Sequence, residues 1–232
     1  MQEQVAAVIV AAGSSRRMGG RDKLWISLAG RLILARTIDT FAASPQVSTI
    51  VLVLNSERLE DARGLCTRER WEKIGALVPG GARRQDSVRA GLDTLAEIAP
   101  ETRWVMIHDG ARPLVTLALL EAGLHAAREH QAAVAAVHVK DTIKQVHDGL
   151  IYSTPQRSQL WAVQTPQIFA FPLIHQAYHN TSAEIEVTDD ATILERLGHP
   201  VAIFPGSYTN LKITTEEDLL LAEAFLQGPK KI

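Results

Sequence analysis

Val8-Ile9-Val10-Ala11-Ala12-Gly13-Ser14-Ser15-Arg16-Arg17-Met18-Gly19-Gly20-Arg21-Asp22-Lys23 is the stretch that decides how this chain is read. Its first residues belong to the apolar run Val5–Ala11, which has the density of a strand buried on both faces. The run opens directly into a loop of small residues, and four cations follow: Arg16, Arg17, Arg21 and Lys23. Small side chains let backbone N–H groups approach a ligand closely, while clustered cations neutralise it. At the end of a sheet such a loop predicts a polyanion site, with a nucleoside triphosphate as the expected occupant. Neither Gly-x-x-x-x-Gly-Lys-Ser/Thr nor Gly-x-Gly-x-x-Gly occurs here, so this is neither of those phosphate cradles. A solvated basic loop is the plain alternative.

Outward from this stretch, apolar strands and helical patterns alternate. A helix is expected over Leu32–Phe41, a strand over Val47–Leu54, a polar amphipathic helix over Arg58–Arg70 and a short strand over Ile74–Val78. Pro79-Gly80-Gly81 then leads to a helix from about Asp86 to Ile98, and a strand over Trp104–Ile107 ends in His108-Asp109-Gly110-Ala111-Arg112-Pro113. A helix around Thr116–Glu129 and a buried strand over Ala132–Val137 follow. This alternation predicts an α/β fold, Rossmann-like, with a mostly parallel sheet and helices on both faces. Function in such sheets gathers at the carboxyl ends of the strands. The loops 12–23, 79–87 and 108–113 all leave such ends, so they are expected to line one crevice.

The rhythm breaks between about 139 and 159. Lys140–Val146 and Ile151–Thr154 flank Asp148-Gly149, which reads as a β-hairpin. A lone hairpin is too small to be stable by itself, so a projecting β-arm that packs on a partner subunit is expected. The pattern then resumes: Trp161–Phe169, helices near Pro172–His179 and Thr188–Leu197, strand Val201–Phe204, and a last helix over Leu219–Leu226. Thr214-Thr215-Glu216-Glu217 matches a capping box at its start. Residues 1–232 read as a single domain with an arm.

Composition narrows the partners. A net charge of −2 gives no global attraction to nucleic acid or anionic membrane. No run of about 18 apolar residues and no apolar leader is present, so a soluble, cytoplasmic protein without membrane contact is expected. The single cysteine, Cys66, excludes an internal disulfide. The eight histidines contain no His-Glu-x-x-His match, so no zinc site is expected.

Ala11-Ala12-Gly13-x-x-x-Arg17-Met18-Gly19 followed by Lys23 resembles the opening loop of sugar-phosphate nucleotidyltransferases. Gly80-Gly81-Ala82-x-Arg84-Gln85-Asp86-Ser87-Val88, His108–Pro113, Asp141-Thr142-Ile143-Lys144, Gln164-Thr165-Pro166-Gln167, Thr188-Asp189-Asp190 and Asn210-Leu211-Lys212-Ile213-Thr214 follow in order. Together they resemble the 2-C-methyl-D-erythritol 4-phosphate cytidylyltransferase family of the non-mevalonate isoprenoid pathway, from about residue 5 to 226. The resemblance implies that Arg17 and Lys23 bind the CTP phosphates and stabilise charge on the α-phosphorus. It places Ala11, Ala12 and Gly13 on the nucleotide through the backbone, and Gly80, Gly81 and Ser87 around cytosine. A glycine turn with Asp86 or Ser87 capping a helix is compatible with that pocket. Asp109, with Gly110, would position ribose or Mg²⁺, or close an Asx-turn. Arg112 would reach a phosphate or pin the loop by an internal ion pair. Thr142 and Arg157 would bind methylerythritol phosphate across a homodimer, Thr165 and Thr188 would meet the polyol or shape the crevice, and Lys212 would bind a phosphate.

The residue inventory fits the implied chemistry. A sugar phosphate is largely dianionic at neutral pH, so its attacking oxygen needs no general base. Arg, Lys and Mg²⁺ then suffice for in-line transfer by positioning and electrostatics. Asp22-Lys23-Leu24 replaces the family's common Pro-Lys-Gln, so Asp22 stands where it can attract Lys23 from phosphate. Rival readings are a cytidylyltransferase for another polyol phosphate such as ribitol 5-phosphate, and a nucleotide-binding module without catalysis. A glycosyltransferase would show Asp-x-Asp after a strand, which His108-Asp109-Gly110 is not.

Overall fold

β1 (Gln4–Ala11) runs through the middle of a seven-stranded sheet. The computed structural model describes residues 3–13, 22–182 and 187–228. On one side of β1 lie β4 (Val47–Leu54) and β5 (Ile74–Pro79), and on the other lies β6 (Thr102–Asp109), all parallel to it. Beyond β6 come β10 (Trp161–Ala170), β7 (Ala132–His138) and, at the edge, β11 (Ala202–Pro205). β10 is antiparallel to both of its neighbours, whereas β11 is parallel to β7. The sheet is therefore mostly parallel, as the alternation predicts, with one reversed strand.

Alternation along β1 explains why helices cover both faces. Val5, Ala7, Ile9 and Ala11 join the cluster that includes Leu34, Ile38 and Phe41 of α1 (Ile33–Ala43) and Leu120 and Leu124 of α4 (Leu117–His130). Ala6 and Val8 join the other cluster, with Val88, Leu92 and Leu95 of α3 (Arg84–Ile98) and Ile174 of α5 (Phe171–Asn180). α3 crosses β1 so closely that a Cβ on Gly91 would stand 2.5 Å from Val8 Cγ1.

Register levels the carboxyl ends of four strands. Ala11 pairs with Leu54, Leu54 with Pro79, and Val10 with Asp109. The chain leaves β1 for β4 on one side and returns to β6 on the other, so β1/β6 is the point where the strand order reverses. Ligands bind at such points. Because β10 runs backwards, its early residues also reach this end of the sheet.

Several boundaries differ from expectation, each for a local reason. α3 starts at Arg84 rather than Asp86, because the Asp86 carboxylate sits in its first turn and accepts from the Arg83 N–H (3.1 Å). α6 (Ala191–Arg196) is shorter than Thr188–Leu197, since Asp189 Oδ1 accepts from Thr192 N (3.1 Å) and fixes the entry. The capping box of α7 (Glu216–Gln227) is Thr215 with Asp218, one residue beyond the expected pair. Asp218 Oδ2 also accepts from Thr214 N (2.8 Å). A small hairpin, β2 (Ser27–Leu28) and β3 (Arg31–Leu32), turns at Ala29-Gly30 and was not expected.

The arm is a hairpin of β8 (Gln145–His147) and β9 (Leu150–Ser153), shorter than the two expected runs. Asp148 (φ 49°) and Gly149 (φ 78°) make the left-handed turn that Asp-Gly predicts. Val146, Leu150, Ile151 and Tyr152 are all more than half exposed, so the described residues leave the apolar side chains of this hairpin largely uncovered. Among the described residues no helix is long and apolar enough to cross a membrane.

Candidate active site

Two cavities open at the levelled strand ends. The first, about 430 Å³, is lined by Ala11, Ala12, Gly13, Lys23, Gly81 and Ser87, among others. The second, about 460 Å³, is lined by Arg112, Gln164, Thr165, Thr188, Asp189 and Thr192, among others. Arg84, Asp109 and Lys212 line both. The expected single crevice is thus a pair of chambers sharing one charged wall.

That wall is built on carboxylates. Asp109 Oδ1 accepts from Arg84 Nε (3.1 Å), and Asp109 Oδ2 accepts from Lys212 Nζ (2.9 Å) with Arg112 Nε at 3.7 Å. Arg84 reaches the other way, bidentately, to fully buried Asp190 (2.9 and 2.8 Å). Tyr178 Oη donates to the same Asp190 Oδ1 (2.6 Å). Burial pushes the Asp109 carboxyl up, but the Arg84, Lys212 and Arg112 cations overcome it and hold the group well below the usual carboxylate range. Three cations against two carboxylates leave the wall net positive.

His108 sets the floor behind the wall. Asp109 N–H donates to Thr165 Oγ1 (3.0 Å), which stands 3.1 Å from His108 Nδ1, and His108 Nε2 lies 3.3 Å from the Arg112 carbonyl. A carbonyl only accepts, so Nε2 carries the proton and Nδ1 accepts from the threonine hydroxyl. Burial pushes the His108 pKa down to about 3, so the ring is neutral at pH 7. This chain of bonds orients Asp109 and occupies the Thr165 hydroxyl; Thr165 shapes the second chamber's floor.

Lys212 is carried on a segment fixed at both ends. Buried Asn210 donates to the Thr165 carbonyl (2.8 Å) and to Gln164 Oε1 (3.2 Å), and Ile213 N–H donates to the Ala111 carbonyl (2.8 Å). Arg112 Nη1 donates to the Asn210 carbonyl (2.7 Å), so Arg112 ties this segment to the loop after β6. Arg112 also lines the second chamber, so it combines this internal tie with a place beside the expected phosphate.

In the first chamber, Ser87 Oγ accepts from Gly81 N–H (3.1 Å) and lies 3.2 Å from the Arg83 carbonyl, closing the glycine turn onto α3. Gly80 and Gly110 line neither chamber. A Cβ on Gly80 would stand 2.2 Å from Ala12 Cβ, so this glycine lets the two loops meet. Lys23 lines the chamber at the start of a 3₁₀ turn, Lys23–Trp25. Asp22 caps that turn by accepting from Leu24 N–H (3.2 Å) and pairs with Arg58 Nε (3.2 Å). Its carboxylate thus fixes the backbone where the family's proline would.

Arg17 lies outside the described residues. Thr142 is exposed, and Arg157 donates through Nη1 to the Lys140 carbonyl (2.9 Å); neither lines a chamber of its own chain. Arg84, which joins the two buried carboxylates Asp109 and Asp190, received no role from the sequence. Its place four residues after Gly80 in the quoted motif was visible, but its partners lie 25 and 106 residues away. Asp109, expected to position ribose or Mg²⁺ with its water shell, has Arg84 and Lys212 on its two carboxylate oxygens and Arg112 Nε at 3.7 Å.

The geometry can be set beside known proteins. The family model described as 2-C-methyl-D-erythritol 4-phosphate cytidylyltransferase matches residues 5–228. A protein of that name from Dehalococcoides mccartyi is 46% identical over 228 residues, covering 98% of each chain. One from Geobacter metallireducens is 44% identical over 226 residues, covering 96% of this chain and 97% of the relative. The crystal structure of 4-diphosphocytidyl-2C-methyl-D-erythritol synthase from Anaerococcus prevotii superposes with a TM-score of 0.86 at 32% identity, covering 97% of each chain. With the match running through both chambers and the wall between them, the chain belongs to the 2-C-methyl-D-erythritol 4-phosphate cytidylyltransferase family.

Proposed function

We infer that the chain transfers CMP from CTP to 2-C-methyl-D-erythritol 4-phosphate, giving 4-diphosphocytidyl-2-C-methyl-D-erythritol and pyrophosphate in the non-mevalonate isoprenoid pathway. The observation that carries this reading is the shared wall: two chambers meet at Arg84, Asp109 and Lys212. CTP occupies the first chamber, with Ala11, Ala12, Gly13, Gly81 and Ser87 around the nucleoside and Lys23 and Arg17 on its phosphates. The polyol phosphate occupies the second, beside Thr188. A phosphate oxygen attacks the α-phosphorus, forming a new P–O bond as the bond to pyrophosphate breaks. Lys212, facing both chambers, holds the attacking phosphate against the α-phosphoryl group; such preorganised cations are worth on the order of 10²–10³ in rate. His108 is neutral and bonded at both nitrogens, so proton transfer is not its task. Mg²⁺ is the cation proposed to accompany CTP, where it would neutralise triphosphate charge, with Asp109 the residue placed to position it and its water shell.

The single domain spans residues 1–232, and its arm, about 139–159, completes a neighbour's second chamber with Thr142 and Arg157 in a homodimer. The exposed apolar side chains of the hairpin, and the absence of both residues from the linings of their own chambers, support this. Pyrophosphate release with CTP is measured against methylerythritol 4-phosphate and ribitol 5-phosphate. Preference for ribitol phosphate, or CTP binding with no release from either, overturns the reading. Arg157→Ala raises KM for the polyol phosphate about ten- to a hundredfold while sparing CTP. Mixing it with Lys23→Ala restores activity through hybrid dimers; no recovery with subunit exchange demonstrated places both residues in one subunit.

A further inference from the structure

Away from both chambers, three side chains converge on one point. His175 and His179 lie one turn apart on α5, and Asp93 faces them from α3. His175 Nε2 is 3.1 Å and His179 Nε2 is 2.9 Å from Asp93 Oδ1, and the two Nε2 atoms are 3.3 Å apart. An ion with bonds of about 2.0–2.1 Å to nitrogen and oxygen has ligand–ligand edges of about 3.3 Å when tetrahedral and about 2.9 Å when octahedral. All three measured edges fall within that span. Hydrogen bonding alone accounts for each histidine meeting the carboxylate. The two ring nitrogens at 3.3 Å also lie within reach of a hydrogen bond in one tautomer pairing, but all three ligand atoms meeting at these edges is the arrangement one shared ion requires.

The surroundings hold the donors in place. The His175 ring stacks on Phe171 (5.3 Å between centroids, 20° between planes) and meets His179 edge-on at 4.7 Å. Arg89 Nε lies 3.9 Å from Asp93 Oδ2, the oxygen not turned to the histidines. The site is partly exposed, so an ion can enter and water can fill the remaining coordination positions.

We propose that Asp93, His175 and His179 bind one divalent transition-metal ion of the Zn²⁺ class, tying α5 to α3. Two imidazoles and one carboxylate suit Zn²⁺ and its first-row neighbours and disfavour Mg²⁺, which prefers oxygen. The sequence pointed away from zinc because it lacks His-Glu-x-x-His. Here the helical histidine pair has the same i, i+4 spacing, and the third donor comes from another helix. Tyr178, next to His179 in the chain, donates to Asp190, which grips Arg84 of the site wall. The ion therefore holds the helix from which that support is given.

The test titrates metal-free protein with Zn²⁺ alone by calorimetry and with Co²⁺ by visible absorption, alongside His179→Ala and Asp93→Asn. Expected are one site per chain that either substitution weakens at least tenfold, and cobalt bands of a nitrogen-containing site that both lose. Thermal unfolding of the wild type rises by about 5–10 °C at free Zn²⁺ roughly a hundred times Kd, and the variants do not respond. His179 is exposed, so its variant retains the far-UV spectrum and the Mg²⁺-supported pyrophosphate release of the wild type. Failure of the wild type to bind Zn²⁺, or binding that both variants keep, overturns the proposal.

Discussion

Acidification tests the reading of His108 as a neutral brace. Its pKa is pushed down to about 3 in the folded protein, whereas an unfolded histidine titrates near 6.5. The unfolded chain therefore binds a proton that the folded chain refuses. Stability from this residue is complete above about pH 6.5 and is lost as pH falls toward the folded value. Between pH 7.5 and pH 5.0 the loss comes to about 2 kcal/mol for this single group. Other titrating groups add their own slopes, so the measurement is a difference. Wild type and His108→Gln are unfolded in urea at both pH values, and their free energies of unfolding are compared. The variant is less stable at pH 7.5, because the bonds to Thr165 and Arg112 are altered, but it loses about 2 kcal/mol less on acidification. Equal losses in the two proteins would refute the argument, showing that the folded ring accepts its proton as readily as the unfolded one. The rate of pyrophosphate release from folded wild type carries no ionisation that His108→Gln removes.

Arg84→Met leaves Asp190 buried with only the Tyr178 hydroxyl to face it, and unfolding experiments should show about 3–5 kcal/mol of lost stability. A loss below about 1 kcal/mol would mean that the pair is merely a surface contact in effect. Gly80→Ala puts a Cβ 2.2 Å from Ala12 Cβ, costing about 1–3 kcal/mol by overpacking and raising KM for CTP rather than for the polyol phosphate. Adding Ala12→Gly recovers part of the CTP affinity; no recovery would place the strain elsewhere.

The parallel half of the sheet was legible because a strand buried on both faces writes itself as an unbroken apolar run, as Ile50–Leu54 does. The reversal of β10 was not legible, since the residues of Trp161–Phe169 carry no mark of which way the strand points. Turn chemistry in the arm was plain from Asp148-Gly149, whereas the offset of the last capping box hung on which of two threonines has extended backbone. Candidate residues in the first chamber were readable because a glycine turn and a basic loop are local patterns. Arg84 was not, because its meaning comes from Asp109 and Asp190, far along the chain. The metal triad stayed hidden for the same reason: helical spacing offers two donors, and only the packing of α3 on α5 supplies the third.

In the homodimer proposed above, the exposed hairpin makes catalysis a matter of mass action. On that proposal a protomer whose Arg157 lies outside its own chambers holds only part of the machinery, and the complete site exists in proportion to paired chains. Specific activity then falls on dilution, and the apparent strength of the enzyme depends on its own concentration as well as on its substrates.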